Sequence, residues 1–187
     1  MITKILITGL PQSGKSTLIL ILIEFIKTQG IHIKGFLTPE IRKGNKRIGF
    51  DVIDITTKER VKLARIGDYK TGYRMGKYSV FIKEFDKIII NLEKNKIQAG
   101  ELVIIDEIGK MELFSSKFQN IIKTIFSSNI SILATIGLKL QHPLKDYILQ
   151  IPNIHFITLN RQNFDYVFQK VSSILSQANR ENSSLFE

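Results

Sequence analysis

The sequence contains no cysteine, which excludes a disulfide framework, a thiolate zinc site and a cysteine nucleophile together. A reducing compartment is consistent with that absence. Long apolar runs are missing as well. The longest, Leu18 to Ile23, stops at Glu24, whereas a helix crossing a bilayer needs about 20 residues. The apolar N-terminus runs at once into Gly9 and Pro11 and lacks the basic start and small-residue cleavage site of a secretory signal. The expectation is a soluble, cytoplasmic protein that engages no membrane. Acidic residues are scarce, 17 against 27 Lys plus Arg, leaving a net charge of +10. Such an excess favours polyanions, whether nucleic acid, an anionic surface or a polyphosphate, and solvated surface lysines give the same figure. No arginine-rich run, zinc knuckle or RNP-type aromatic motif accompanies the charge, so nucleic acid is admissible as a partner but not required. His32, His142 and His155 do not cluster, and no metal site is to be built from them.

What is present is enough for one domain. The chain has 187 residues, 43% of them hydrophobic, and the reading is a single domain over 1–178 followed by a polar tail from Asn179 to Glu187. Ile2–Thr8 reads as a buried strand ending at a Gly/Pro turn, and Ser16–Gln29 as a helix closed by Gly30. His32–Thr38 is a second strand. Arg47–Ile55 and Glu59–Ile66 partly alternate polar and apolar residues and read as a β-ribbon turning at Thr56-Thr57. Tyr78–Ile82 is a further short strand. Helices over Lys83–Gln98, Ser115–Ser127, Pro143–Gln150 and Asn163–Gln177 then alternate with strands at Glu101–Asp106, Ser131–Ile136 and His155–Leu159. Apolar strands separated by helices imply a mostly parallel sheet covered on both faces. The fold class expected is α/β, three-layered, with a ribbon inserted after the second strand.

Between the first strand and the first helix stands Gly9-Leu10-Pro11-Gln12-Ser13-Gly14-Lys15-Ser16-Thr17, which satisfies Walker A spacing in the strand–helix setting that the motif requires. The glycines let the loop curl so that backbone N–H groups meet a phosphate, and the helix brings its positive end to the same point. Lys15 is expected to reach the β- and γ-phosphates, Ser16 to ligate Mg²⁺, and Thr17 to help near the α-phosphate.

A second motif lies at the end of Leu102-Val103-Ile104-Ile105-Asp106-Glu107. In a parallel sheet the carboxyl ends of strands face the ligand, so both acids are delivered to the crevice holding the phosphate loop. Asp106 suits support of Mg²⁺, and Glu107 suits the orientation and deprotonation of water.

Together with these motifs, Gly35-Phe36-Leu37-Thr38-Pro39-Glu40-Ile41-Arg42, Arg47-Ile48-Gly49-Phe50-Asp51, and the string Asp106-Glu107-Ile108-Gly109-Lys110-Met111-Glu112-Leu113 resemble one family over nearly the whole chain. This is the family of small nucleoside triphosphatases first known from thermophiles, which includes the human cancer-related nucleoside triphosphatase. Gly76-Lys77-Tyr78-Ser79-Val80 and Leu159-Asn160-Arg161 look like family elements too. The resemblance implies a RecA-like P-loop fold and Mg²⁺-dependent, slow hydrolysis of the terminal phosphate of ATP, GTP, CTP, UTP and TTP. It marks Val103, Ile104, Ile105, Asp106, Glu107, Ile108, Gly109 and Lys110 as nucleotide-contacting. One departure stands out: the family usually has glycine at the position of Gln12.

Several residues admit two readings. Arg42 and Arg47, in or beside the ribbon, suit an arginine finger and equally a surface pairing with Glu40. Arg161, just past a strand end, suits stacking on a nucleobase and equally a helix-start surface position. Lys110 is a candidate phosphate contact, and Thr135 is either a buried strand threonine or a contact to the γ-phosphate. A small-molecule or nucleotide kinase shares the phosphate loop, and a nucleic-acid-stimulated ATPase is the reading that basic charge alone suggests. The expected assembly is a monomer or weak oligomer.

Overall fold

The computed structural model describes residues 2–98 and 100–183. Its centre is a ten-stranded sheet in the order β10-β1-β9-β8-β2-β4-β5-β7-β6, with β3 paired to β4. β1 (Lys4–Gly9), β2 (Ile33–Leu37), β8 (Leu102–Ile108), β9 (Ser131–Gly137) and β10 (Ile154–Thr158) are mutually parallel. The ribbon is not a separate flap. β3 (Glu40–Lys43), β4 (Lys46–Asp54), β5 (Arg60–Ile66), β6 (Tyr73–Met75) and β7 (Tyr78–Val80) continue the same sheet antiparallel from the free side of β2.

The central parallel strands β1, β8 and β9 lack a polar face because both faces are covered. Ile5 and Ile7 of β1 and Leu102 and Ile104 of β8 pack into one apolar layer with α1 (Lys15–Thr28) and α5 (Phe164–Ser183). Leu6, Val103 and Ile105 point the other way. Their layer holds α2 (Ile82–Lys94), α3 (Ser116–Ser127) and α4 (Pro143–Leu149). The two periodicities meet as expected, two along strands and three to four along helices, as in the α1 stripe Leu18, Ile19, Leu22, Ile23, Ile26. Burying these stripes, at roughly 25 cal/mol per Å² of apolar surface, is the dominant force holding the helices to the sheet.

Local chemistry sets the ends. Ser115 caps α3 by accepting a 3.0 Å bond from the Phe118 amide, and His142 caps α4 through Nδ1, 3.1 Å from the Leu144 amide. The turn between β4 and β5 does include Thr56-Thr57, held by Asp54, whose carboxylate accepts both their amides at 2.8 and 2.7 Å. Several boundaries differ from the sequence reading, among them β8, which runs on past Asp106 and Glu107 to Ile108. α2 stops at Lys94 rather than Gln98, and α5 runs on to Ser183, so Asn179–Ser183, read as tail, is the last turn of a helix. Residues 184–187 lie outside the described ones.

Candidate active site

Parallel pairing brings the carboxyl ends of β1, β2, β8 and β9 to one edge of the sheet. Gly9 pairs with Gly137, and Leu37 with Asp106. The phosphate loop leaves β1 at Gly9, where a Cβ would meet Ser13 Oγ at 2.5 Å and the Leu159 carbonyl oxygen at 2.6 Å, so only glycine closes the turn. Gln12, at the position where the resemblance departs, has φ 64°, the left-handed region that glycine adopts without cost. Gly14 is also left-handed and hands the chain to α1 at Lys15.

Lys15 is buried, with Nζ 3.2 Å from the Gly9 carbonyl, 3.4 Å from that of Leu10, and 3.7 Å from Glu107 Oε2. Asp106 is 3% exposed and accepts a 2.5 Å hydrogen bond from the hydroxyl of buried Thr135, on β9. The Ser16 hydroxyl favours the charged form of Asp106 from the head of α1. Burial raises the Asp106 pKa, against the Thr135 bond, the Ser16 hydroxyl and the charge of Lys15. Burial likewise raises Glu107, opposed chiefly by Lys15. The peptide bond joining Asp106 to Glu107 is cis.

Thr38, the residue after β2, ties the two acids down from the neighbouring strand. Its hydroxyl donates to the Asp106 carbonyl at 2.7 Å and accepts from the Glu107 amide at 3.2 Å. A third acid joins them. Glu112, 4% exposed, sits so close that a Cβ on Gly109 would meet its Oε2 at 2.5 Å and Glu107 Oε1 at 3.1 Å. Burial and the neighbouring charge of Glu107 push the Glu112 carboxyl up to about 8, against the backbone at Glu112 and Gly109, which favours the charged form.

Lys15, Ser16, Thr38, Glu107 and Glu112 line one cleft of about 700 Å³, within the range of small-ligand sites, and the buried Asp106 and Thr135 are not part of its wall. Its wall includes Pro11, Gln12, Gly14, Lys15, Ser16 and Thr17, and across from them Glu107, Gly109 and Lys110. A family model described as NTPase matches residues 4–172, which takes in the phosphate loop, the acid-bearing strand and the ribbon. The chain belongs to this NTPase family. The nucleoside-triphosphatase THEP1 of Thermotoga maritima is 39% identical over 172 residues, 92% of this chain and 95% of its own. The crystal structure of THEP1 from Aquifex aeolicus matches with a TM-score of 0.78 at 31% identity, over 92% of this chain and 99% of that one. The solution structure of a human cancer-related nucleoside triphosphatase matches with 0.77 at 30% identity, over 92% and 97%. As a member of the NTPase family, the chain is an enzyme with the P-loop NTPase fold.

Other candidates fall in different places. Arg47 lines the cleft but is ion-paired with Glu40 and lies 5.3 Å over the Phe50 ring. Arg42 is exposed, outside the cleft wall, and bonded to Glu40 and the Asn45 carbonyl. Arg161 is exposed beside the phosphate loop, 3.5 Å from the Gln12 carbonyl. Leu10 is exposed and Ser13 buried, and neither is in the cleft wall. Val103, Ile104, Ile105 and Ile108 are fully buried in the two apolar layers, beneath the site. Thr38, Glu112, Phe50, Met75 and Tyr78 entered the site without any reading of the sequence assigning them a role. For all of them but Met75 a signal existed, since Thr38, Phe50, Tyr78 and Glu112 lie inside the stretches that carry the family resemblance.

Proposed function

We propose that this cleft hydrolyses the terminal phosphoanhydride of several nucleoside triphosphates and depends on Mg²⁺ to do so. The reading is carried by one observation: the loop lysine expected on the β- and γ-phosphates touches the acid expected on the attacking water. In this scheme the loop amides and Lys15 hold the phosphates, and Lys15 exchanges its bonds to the Gly9 and Leu10 carbonyls for phosphate oxygens. Glu107 orients a water against the γ-phosphorus and takes its proton. The bond from that phosphorus to the β–γ bridging oxygen breaks, and the nucleoside diphosphate leaves with the electron pair.

Ser16 and Asp106 suit a hard divalent cation, because they offer a hydroxyl and a carboxylate that act on each other, with Thr135 orienting the acid. When bound, Mg²⁺ supplies positive charge at the β- and γ-oxygens. Base tolerance is supported by Arg161, whose guanidinium plane beside the loop stacks on any base face and reads no edge. Phosphate release should be measured for ATP, GTP, CTP, UTP and TTP with and without Mg²⁺. Release from several of them only with the metal is expected, and metal-independent turnover at an unchanged rate would contradict the site.

A further inference from the structure

The cleft is larger on one side than hydrolysis needs. In the sheet order, Arg161 follows β10 on one flank of β1, whereas β8, β2 and then the ribbon lie on the other. Lys15 leans toward Glu107, on the ribbon flank, so a triphosphate held by the loop presents its terminal phosphate to the ribbon and its base to the Arg161 edge. The cavity does not stop at Glu107. It continues past Thr38 and Pro39 to Phe50, Met75 and Tyr78, half-buried side chains braced from behind by the apolar core. The Phe50 and Tyr78 rings stand 5.8 Å apart at 60°, and the Arg47 guanidinium, ion-paired with Glu40, lies 5.3 Å over the Phe50 ring and adds a polar rim to the aromatic pair.

A water nucleophile gains nothing from an aromatic wall, which disfavours water in that space. An organic nucleophile does gain: a flat ring packs against the Phe50–Tyr78 pair, its polar edge meets Glu40 and Arg47, and Glu107 lines the same cleft to receive a hydroxyl. We propose that this ribbon-side chamber is an acceptor site, at which the enzyme transfers the γ-phosphoryl group to the hydroxyl of a nucleoside. The proposal rests on the roles given above to Lys15 and Glu107. The acceptor oxygen bonds to the γ-phosphorus as its O–H bond breaks, and Glu107 takes that proton. The bond to the β–γ bridging oxygen breaks, its electrons leaving on the nucleoside diphosphate, and the products are a nucleoside monophosphate and a diphosphate. Hydrolysis is the same transfer with the chamber empty of acceptor.

The test uses the full chain with Mg²⁺ and ATP labelled in its γ-phosphate, and adds adenosine, guanosine, cytidine, uridine or thymidine at millimolar concentration. ADP, free phosphate and labelled nucleoside monophosphate are quantified in the same tube. ADP should exceed phosphate, with labelled monophosphate making up the difference. Phe50→Ala and Met75→Ala should each lower transfer relative to hydrolysis about tenfold, the scale of one lost stacking contact, and this ratio is insensitive to partial loss of folded enzyme. Equal ADP and phosphate with every nucleoside would overturn the proposal while leaving hydrolysis intact. Transfer that survives both substitutions would overturn its location. Absence of ADP in every tube, nucleoside or not, would instead remove the hydrolytic reading and the proposal with it.

Discussion

Lys15 Nζ lies 3.7 Å from Glu107 Oε2, so the cation at the head of α1 and the second acid of β8 meet across the floor of the cleft. Neither motif contains the other's partner. The contact exists because β1 and β8 are both bonded to β9 and end at the same edge of the sheet.

Glu107→Gln keeps the size of the side chain and removes its capacity to take a proton. Single-turnover hydrolysis should fall by roughly 10²–10⁴-fold, the usual contribution of a positioned base. Nucleotide affinity should stay level or tighten slightly, because one negative charge beside the phosphates is gone. A near-parental rate would remove Glu107 from the chemistry.

Thr135→Val deletes the hydroxyl that bonds buried Asp106 at 2.5 Å. Losing a donor to a buried carboxylate costs about 1–3 kcal/mol, so Tm should drop. The Mg²⁺ concentration giving half-maximal activity should rise, because the acid loses the bond that orients it. Thr135→Ser should preserve both. Unchanged Tm and metal titration in the valine variant would show the contact to be idle.

Glu112 gives stability a pH dependence of definite sign. Its folded pKa of about 8 stands above the ordinary 4.5, so between those values the native state keeps a proton that the unfolded chain has lost. Stability therefore declines as pH rises from about 4.5 to about 8 and then levels off. Glu112→Gln should flatten that decline, leaving the urea midpoint nearly unchanged at the acid end and raised above the parent's at pH values past 8. A parallel decline in parent and variant would assign the slope to other groups.

Gln12 occupies backbone space in which a side chain carries strain, with φ 64°. Gln12→Gly should relieve about 1 kcal/mol of left-handed cost, partly offset by the greater freedom of glycine in the unfolded chain. A small rise in Tm is expected from thermal melts without nucleotide, and a marked fall would show that the glutamine side chain has a supporting contact of its own.

How much of this was legible in the sequence follows from how local each feature is. The phosphate loop is nine consecutive residues whose chemistry is complete in themselves, and Asp106-Glu107 ends an apolar run whose burial on both faces was readable. Thr38, Thr135 and Phe50 are a different case. Thr38 meets Asp106 only because β2 pairs with β8 in a register placing Leu37 opposite Asp106, and no local pattern encodes that register. The cleft's ribbon wall depends on β4 joining the open side of β2 through two residue pairs, Phe36 with Asp54 and Leu37 with Ile53. β3 and β6 escaped notice because four and three residues are too few to show a period of two. Glu112 stood only as one member of the Asp106–Leu113 string, and its burial goes with the close approach to Gly109, which no local pattern encodes.

The placement of β1 bears on the order in which a growing chain can assemble. The antiparallel strands from Glu40 to Val80 pair mainly with near neighbours in sequence, so that wing closes short loops and can form early. β1 is emitted first of all the strands, yet its two partners are β9, beginning at Ser131, and β10, beginning at Ile154. During vectorial synthesis the strand that carries the phosphate loop has no ladder to join until β9 has been made, and triphosphate capture thereby reports assembly of the parallel strands.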